Sequence, residues 1–107
     1  MSDLMNQASW RAVARPEEIG DDPVAAVVDG QEIALYRVDG EIFATANLCT
    51  HGLARLSDGW LDGPLIECPL HQGLFDVRTG RCAGAPAEVD LRTYPVRIRD
   101  GHVEIRI

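Results

Sequence analysis

Lysine is absent from these 107 residues, and all ten basic side chains are arginine. Seventeen acids oppose them, for a formal net charge of −7. That balance excludes DNA, RNA and anionic membranes as partners, because binding to them rests on neutralising phosphate. The arginine bias itself reads as genome composition without functional content. Long apolar runs are missing as well. The longest, Val24 to Val28, is five residues, against the ~20 that span a bilayer. Met1 to Arg15 lacks the positive start and apolar run of a secretory signal. A soluble, cytoplasmic protein is expected. Three cysteines are too few, and odd in number, for a disulfide scaffold. In a reducing compartment they read as metal ligands, nucleophiles or buried thiols. The length suits one domain and leaves no room for a nucleotide-binding domain with its own active site. A chain of this size buries only somewhat over ~60% of its unfolded surface, so a bound metal would add materially to its stability.

Glycine, by contrast, is well placed. Five of the ten glycines follow an aspartate: Gly30, Gly40, Gly59, Gly63 and Gly101. Asp-Gly is a tight-turn signal, since both residues tolerate the positive φ of type I′ hairpins. Between these turns lie short β-forming segments: 24–28, 32–38, 41–46, 65–67, 93–99 and 102–107. The last two alternate apolar and polar residues around Asp100-Gly101, as a half-buried hairpin does. Only Pro16-Glu17-Glu18-Ile19 suggests a helical turn, with proline first and acids behind it. The pattern predicts an all-β chain of short antiparallel strands. Acid is concentrated early: residues 1–48 carry nine acids and three arginines. Glu17, Glu18, Asp21 and Asp22 read as a solvated loop.

The chemistry sits in two segments, Cys49-Thr50-His51-Gly52 and Cys68-Pro69-Leu70-His71, with sixteen residues between His51 and Cys68. In extended chain Cys49 and His51 project to the same side. Cys68 and His71 need a bend, for which Pro69 fixes one φ and Gly73 loosens the exit. Two loops, each offering a thiolate and an imidazole, can close on a metal centre from opposite sides. The same residues also admit a structural zinc site, a Cys–His nucleophile, or buried thiols with surface histidines. Cys-x-His spacing counts against zinc, whose finger motifs usually pair cysteine with cysteine. No orienting partner or oxyanion motif supports a nucleophile.

Cys-x-His, sixteen residues, then Cys-x-x-His resembles the Rieske [2Fe–2S] ligand pattern, in which two histidines replace two cysteines on one iron. The likeness extends to Asn47-Leu-Cys-Thr-His-Gly52, Leu56-Ser-Asp-Gly-Trp-Leu61, Ile66-Glu-Cys-Pro-Leu-His-Gln-Gly73, Phe75-Asp-Val77, Thr79-Gly80 and Thr93-Tyr-Pro-Val96. Together these are similar to the small ferredoxins of bacterial aromatic-ring-hydroxylating dioxygenases, of the naphthalene-dioxygenase class. The resemblance is strongest from Glu32 onward, and the first nine residues look like a variable extension. It implies an all-β Rieske fold of antiparallel strands in small stacked sheets. A single domain would comprise a base, residues 1–45 and 87–107, and an inserted cluster-binding subdomain, residues 46–86.

By the same resemblance, Cys49 and Cys68 would hold one iron, and His51 and His71 the other. Two ferric ions, two sulfides and two thiolates cancel to zero charge, so adding an electron is easier than with four thiolates. Rieske proteins of respiratory and photosynthetic complexes add a disulfide across the loops, and a Ser and a Tyr that donate hydrogen bonds to sulfur. Here those places hold Ala54 and Leu70, and Gly73 and Phe75. Fewer donors imply a potential near the low end of the Rieske range, about −150 mV. The implied role is one-electron transfer from a flavin-containing NAD(P)H ferredoxin reductase to a terminal ring-hydroxylating oxygenase. The carrier would be monomeric, with no active site of its own. A Rieske-like small subunit of a nitrite reductase or arsenite oxidase keeps the cluster and changes the job; a zinc-stabilised binding module changes both. Gly84-Ala-Pro86 resembles the proline-containing loop that covers the cluster. Cys82 is expected to be an unligated thiol and His102 a solvated strand residue. Trp10 and Trp60 are assigned to packing, Trp60 as a shield for the cluster base. The stretches flanking the ligands, Thr50 to Ala54 and Leu70 to Leu74, are almost uncharged and suggest an apolar docking tip.

Overall fold

The computed structural model describes residues 9–50, 54–70, 73–84 and 89–107. Eleven short strands are described: β1 (Trp10–Ala14), β2 (Val24–Val28), β3 (Gln31–Val38), β4 (Glu41–Ala46), β5 (Trp60–Asp62), β6 (Leu65–Glu67), β7 (Leu74–Asp76), β8 (Cys82–Gly84), β9 (Thr93–Tyr94), β10 (Val96–Arg99) and β11 (His102–Arg106). Single 3₁₀ turns lie at Pro16–Glu18 and Leu56–Asp58. The strands form three antiparallel sheets, ordered β1-β11-β10, β2-β3-β4-β9 and β5-β6-β7-β8.

The β2-β3-β4-β9 sheet is the middle layer, and β3 shows why. Ile33, Ala34, Leu35 and Tyr36 are all fully buried. Side chains alternate across a strand, so Ile33 and Leu35 enter one core with Ile19, Ile42, Tyr94, Val103 and Ile105. Ala34 and Tyr36 enter the other, with Leu56, Ile66, Phe75, Val77, Leu91, Cys49 and Cys68. The Tyr36 hydroxyl keeps a partner in that core, 3.0 Å from the Thr45 hydroxyl. Desolvation raises its pKa well above the usual phenol value.

Three Asp-Gly pairs make the expected hairpins. Asp29-Gly30, Asp39-Gly40 and Asp100-Gly101 have positive φ at both residues, as type I′ turns require. Asp58-Gly59 does not. Gly59 ends the second 3₁₀ turn at φ −89°, and a Cβ there would overlap the Glu67 carbonyl oxygen. Glycine is needed there for close approach, not for a left-handed turn. The segment 93–99, read as one strand, is two. Pro95 has no N–H to donate to a ladder, and the chain changes sheets there, β9 pairing with β4 and β10 with β11. On the final hairpin Val103 and Ile105 are fully buried, whereas Ile98 is 58% exposed. The apolar alternation therefore holds for β11 and fails at the end of β10. Trp60 is 62% exposed on β5, so it does not shield the base of the site. Trp10 is half-buried, with the Arg97 guanidinium 4.1 Å over its ring.

Candidate metal centre

Each of the two cysteine segments leaves the fold as a loop of the same construction. The Cys49 N–H donates to the Ala54 carbonyl at 2.9 Å, and the Cys68 N–H to the Gly73 carbonyl at 2.8 Å. In both, a bond from the cysteine to the residue five positions on closes the loop and sets the thiol at its inner base. The stems differ. The Cys68 loop continues the β6–β7 ladder, where Glu67 pairs with Leu74. The Cys49 loop rises from the end of β4 on one isolated bridge, Leu48 to Arg55. The Thr50 hydroxyl donates to the Val89 carbonyl at 2.6 Å, tying this loop to the segment beyond β8.

Both thiols are taken from water, Cys49 at 5% and Cys68 at 0% exposure, and they meet. Burial pushes the Cys68 thiol up to about 11, and its contact with Cys49 adds to the rise. The Leu70 backbone N–H donates to the Cys68 sulfur and opposes it. Two buried thiols in contact, with the Cys68 thiol held neutral by burial and by its neighbour, suit a shared cation, which favours the thiolate form. This donor set fits an iron–sulfur centre. Ala54 and Leu70 leave no cysteines for a cross-loop disulfide, and all three cysteines are outside disulfides. Beside the thiols, Gly73 is buried and Phe75 fully so; neither side chain has a hydroxyl to offer sulfur.

The structure brings Cys49 and Cys68 together, while His51 and His71 lie outside the described residues, as do Ala85 and Pro86. Among the described residues no group of three or more His, Cys, Asp or Glu side chains is placed to hold a metal ion. Cys82, half-buried on β8, packs against the core that contains both thiols. Its N–H donates to Asp90 Oδ1 at 2.8 Å. His102 is exposed on β11, its ring Nδ1 3.0 Å from the Asp100 carbonyl. The acids from Glu17 to Asp22 are exposed, and Arg37 fixes the turn that starts them by donating to the Pro16 and Ile19 carbonyls, each at 2.6 Å. Glu32, whose carbonyl supports the Cys49 loop at Asn47, is five residues from Arg37 on β3. Those five steps separate the acids from the Cys49 loop by about 17 Å along the strand. Sequence reasoning gave no role to Asn47 or Ser57. The one signal was Asn47, a polar residue two positions before Cys49; nothing in the sequence pointed to Ser57.

Three stacked antiparallel sheets with two cysteine loops converging on one core are the frame of a small iron–sulfur electron carrier. The Rieske [2Fe–2S] domain model matches residues 9–95. The chain belongs to that family and carries one Rieske cluster. It is 54% identical over 94 residues to the ferredoxin component of the naphthalene 1,2-dioxygenase system of Pseudomonas putida, covering 88% of this chain and 90% of the relative. The Sphingomonas yanoikuyae B1 ferredoxin superposes with a TM-score of 0.88 at 44% identity, over 91% of this chain and 97% of that one. A chain in the complex of reduced oxygenase and oxidised ferredoxin of carbazole 1,9a-dioxygenase matches with a TM-score of 0.85 at 38% identity, over 92% of this chain and 93% of that one. The protein is thus an electron-transfer component of the dioxygenase-ferredoxin kind and not itself an oxygenase.

Proposed function

We propose that Cys49 and Cys68 ligate one iron of the cluster and His51 and His71 the other. In this reading the protein carries single electrons from a flavin-containing NAD(P)H reductase to a terminal ring-hydroxylating oxygenase, as a cytoplasmic monomer. The observation that carries the ligand assignment is the meeting of two buried thiols at the bases of two matched loops, each loop having a histidine in its sequence. When bound, the cluster supplies a one-electron couple. The protein's part is to exclude water from the two thiolates, fix their separation and aim the Leu70 N–H at sulfur. The division into a base, 1–45 and 87–107, and a cluster-binding subdomain, 46–86, is supported by β5 to β8, which among the described residues pair only with one another. With no hydroxyl at Gly73 or Phe75, the potential belongs near about −150 mV.

Purified protein is expected to contain two irons and two acid-labile sulfides and to give a reduced-state EPR signal. It should also mediate NADH-dependent reduction of a naphthalene-type oxygenase by its reductase, and elute as a monomer. A colourless protein holding one zinc would sink the ligand assignment. An iron–sulfur protein that copurifies in fixed stoichiometry with another subunit would sink the carrier role alone.

A further inference from the structure

The geometry points to Asn47 as the positioning residue of the first ligand loop, an inference that rests on the ligand assignment proposed above. Asn47 is fully buried, and each of its four hydrogen-bonding groups is used. Its N–H donates to the Glu32 carbonyl of β3 at 2.9 Å, and its carbonyl accepts from the Leu56 N–H at 2.7 Å. In the side chain, Nδ2 donates to the Ser57 hydroxyl at 2.9 Å and Oδ1 accepts from the Ser57 N–H at 2.8 Å.

The reason lies in the unequal stems. The Cys68 loop stands on a β-ladder, so backbone bonds hold both its arms. The Cys49 loop has only the single Leu48–Arg55 bridge beneath it, because β4 belongs to the middle sheet while the returning arm enters the 3₁₀ turn at Leu56–Asp58. Beyond that bridge, the Ser57 N–H donates to the Asn47 side-chain amide where a ladder would supply a backbone carbonyl. One residue therefore joins three parts: the middle sheet through Glu32, the outgoing arm that delivers Cys49 two residues later, and the returning arm. The ion pair of Arg55 with Glu32, at 2.5 Å, spans the same neck from outside. Both of those side chains are substantially exposed, so the pair adds little. Removing the buried amide strands the Ser57 N–H without a partner and frees the arm that carries Cys49 and His51.

The test compares Asn47→Ala, Asn47→Asp and Val103→Ala with the wild-type holoprotein. Asn47→Asp keeps an acceptor for the Ser57 N–H and a second one for its hydroxyl. Val103→Ala opens a cavity in the core on the opposite face of the middle sheet and serves as a control for general destabilisation. Loss of visible absorbance under an iron chelator is expected to be about tenfold faster in Asn47→Ala. It should be restored to within about threefold of wild type in Asn47→Asp. Asn47→Ala alone should also shift the reduced-state EPR g-values, which report ligand geometry and not global stability. Val103→Ala should lower the melting temperature without changing either reading. Should Asn47→Ala not fold, Ser57→Ala, which removes only the Nδ2 partner, is expected to accelerate bleaching about threefold. Bleaching of Asn47→Ala, or in its absence Ser57→Ala, no faster than Val103→Ala would overturn the inference. Failure of the ligand assignment would show separately, as wild-type protein without iron.

Discussion

Replacing His51 or His71 by alanine is expected to deplete the cluster severely, while Cys82→Ser and His102→Ala retain both iron content and spectrum. The contrast follows from placement. Cys82 lies on β8 and His102 on the distant β10–β11 hairpin, neither on a ligand loop. Iron analysis and visible spectra check it, and loss of the cluster in Cys82→Ser would mean a wrong ligand set. A second residue-scale effect concerns acid. The Asp76 carboxylate accepts from Arg78 Nε at 3.1 Å, Nη2 at 2.9 Å and the backbone N–H at 2.9 Å. These bonds hold its carboxyl below the usual carboxylate range. A depressed folded pKa contributes stability that is present above the unfolded value, near ~3.9, and lost as pH falls through the folded one. Asp76→Asn should therefore lose stability at neutral pH and show a flatter decline on acidification below about pH 4. The change will be small, since Arg78 is half in water. Thermal melts from pH 3 to pH 7 measure it.

Among the elements, the three-residue strands β5 to β8 depend on close approach more than on length. Gly59 lets the 3₁₀ turn press against the Glu67 carbonyl immediately before Cys68. Gly59→Ala should destabilise by about 3 kcal/mol, because the clash is with backbone that cannot swing away. Gly20 has open space around its Cα and no positive φ. Gly20→Ala should be neutral or stabilise by up to about 1 kcal/mol by restricting the unfolded chain. Denaturant unfolding of the pair distinguishes a contact requirement from a general glycine effect; equal behaviour would contradict it.

At the scale of the whole molecule, three of the exposed large apolar side chains among the described residues lie at or beside the two cysteine loops. Leu70 is 43% exposed on one ligand loop, and Leu48 and Val89 are exposed beside the other. The four acids from Glu17 to Asp22 sit at the far end of β3. We propose that these apolar side chains form the docking surface, where a partner would approach with little charge to desolvate. Contacts of transient redox pairs are typically below ~1,200 Å² in total, so one misplaced charge matters. Leu70→Glu is expected to slow electron delivery to the oxygenase roughly tenfold without altering the cluster spectrum. Neutralising all four acids as Gln and Asn should change mainly the association rate at low salt, by a few-fold at most. Stopped-flow mixing of pre-reduced protein with oxygenase tests both. Normal transfer by Leu70→Glu alongside failure of the acid-free variant would place the docking face elsewhere.

Much of this was legible in the sequence because it is written locally. Asp-Gly pairs with positive φ make hairpins wherever they occur between β-formers, so β2 to β4 and the last hairpin could be read directly. The Cys-x-His and Cys-x-x-His segments stood out because soft metal chemistry needs thiolate and imidazole side chains at close spacing, and of these residues the structure brings Cys49 and Cys68 together. Of the four strands of three residues only β6 could be read, since so short a run carries little alternation, and β5, β7 and β8 emerged only from their pairing. Tertiary structure alone decided that β3 is buried on both faces, that the chain changes sheets at Pro95, and that Trp60 faces water. It alone showed that Gly59 answers to a carbonyl eight residues on. It also gave Asn47 its work, since a side chain that replaces a missing ladder bond is recognisable only once the two arms of the loop stand side by side. Chemistry depends on residue type and spacing, which sequence contains. Packing depends on what lies opposite, which a chain acquires only when it folds.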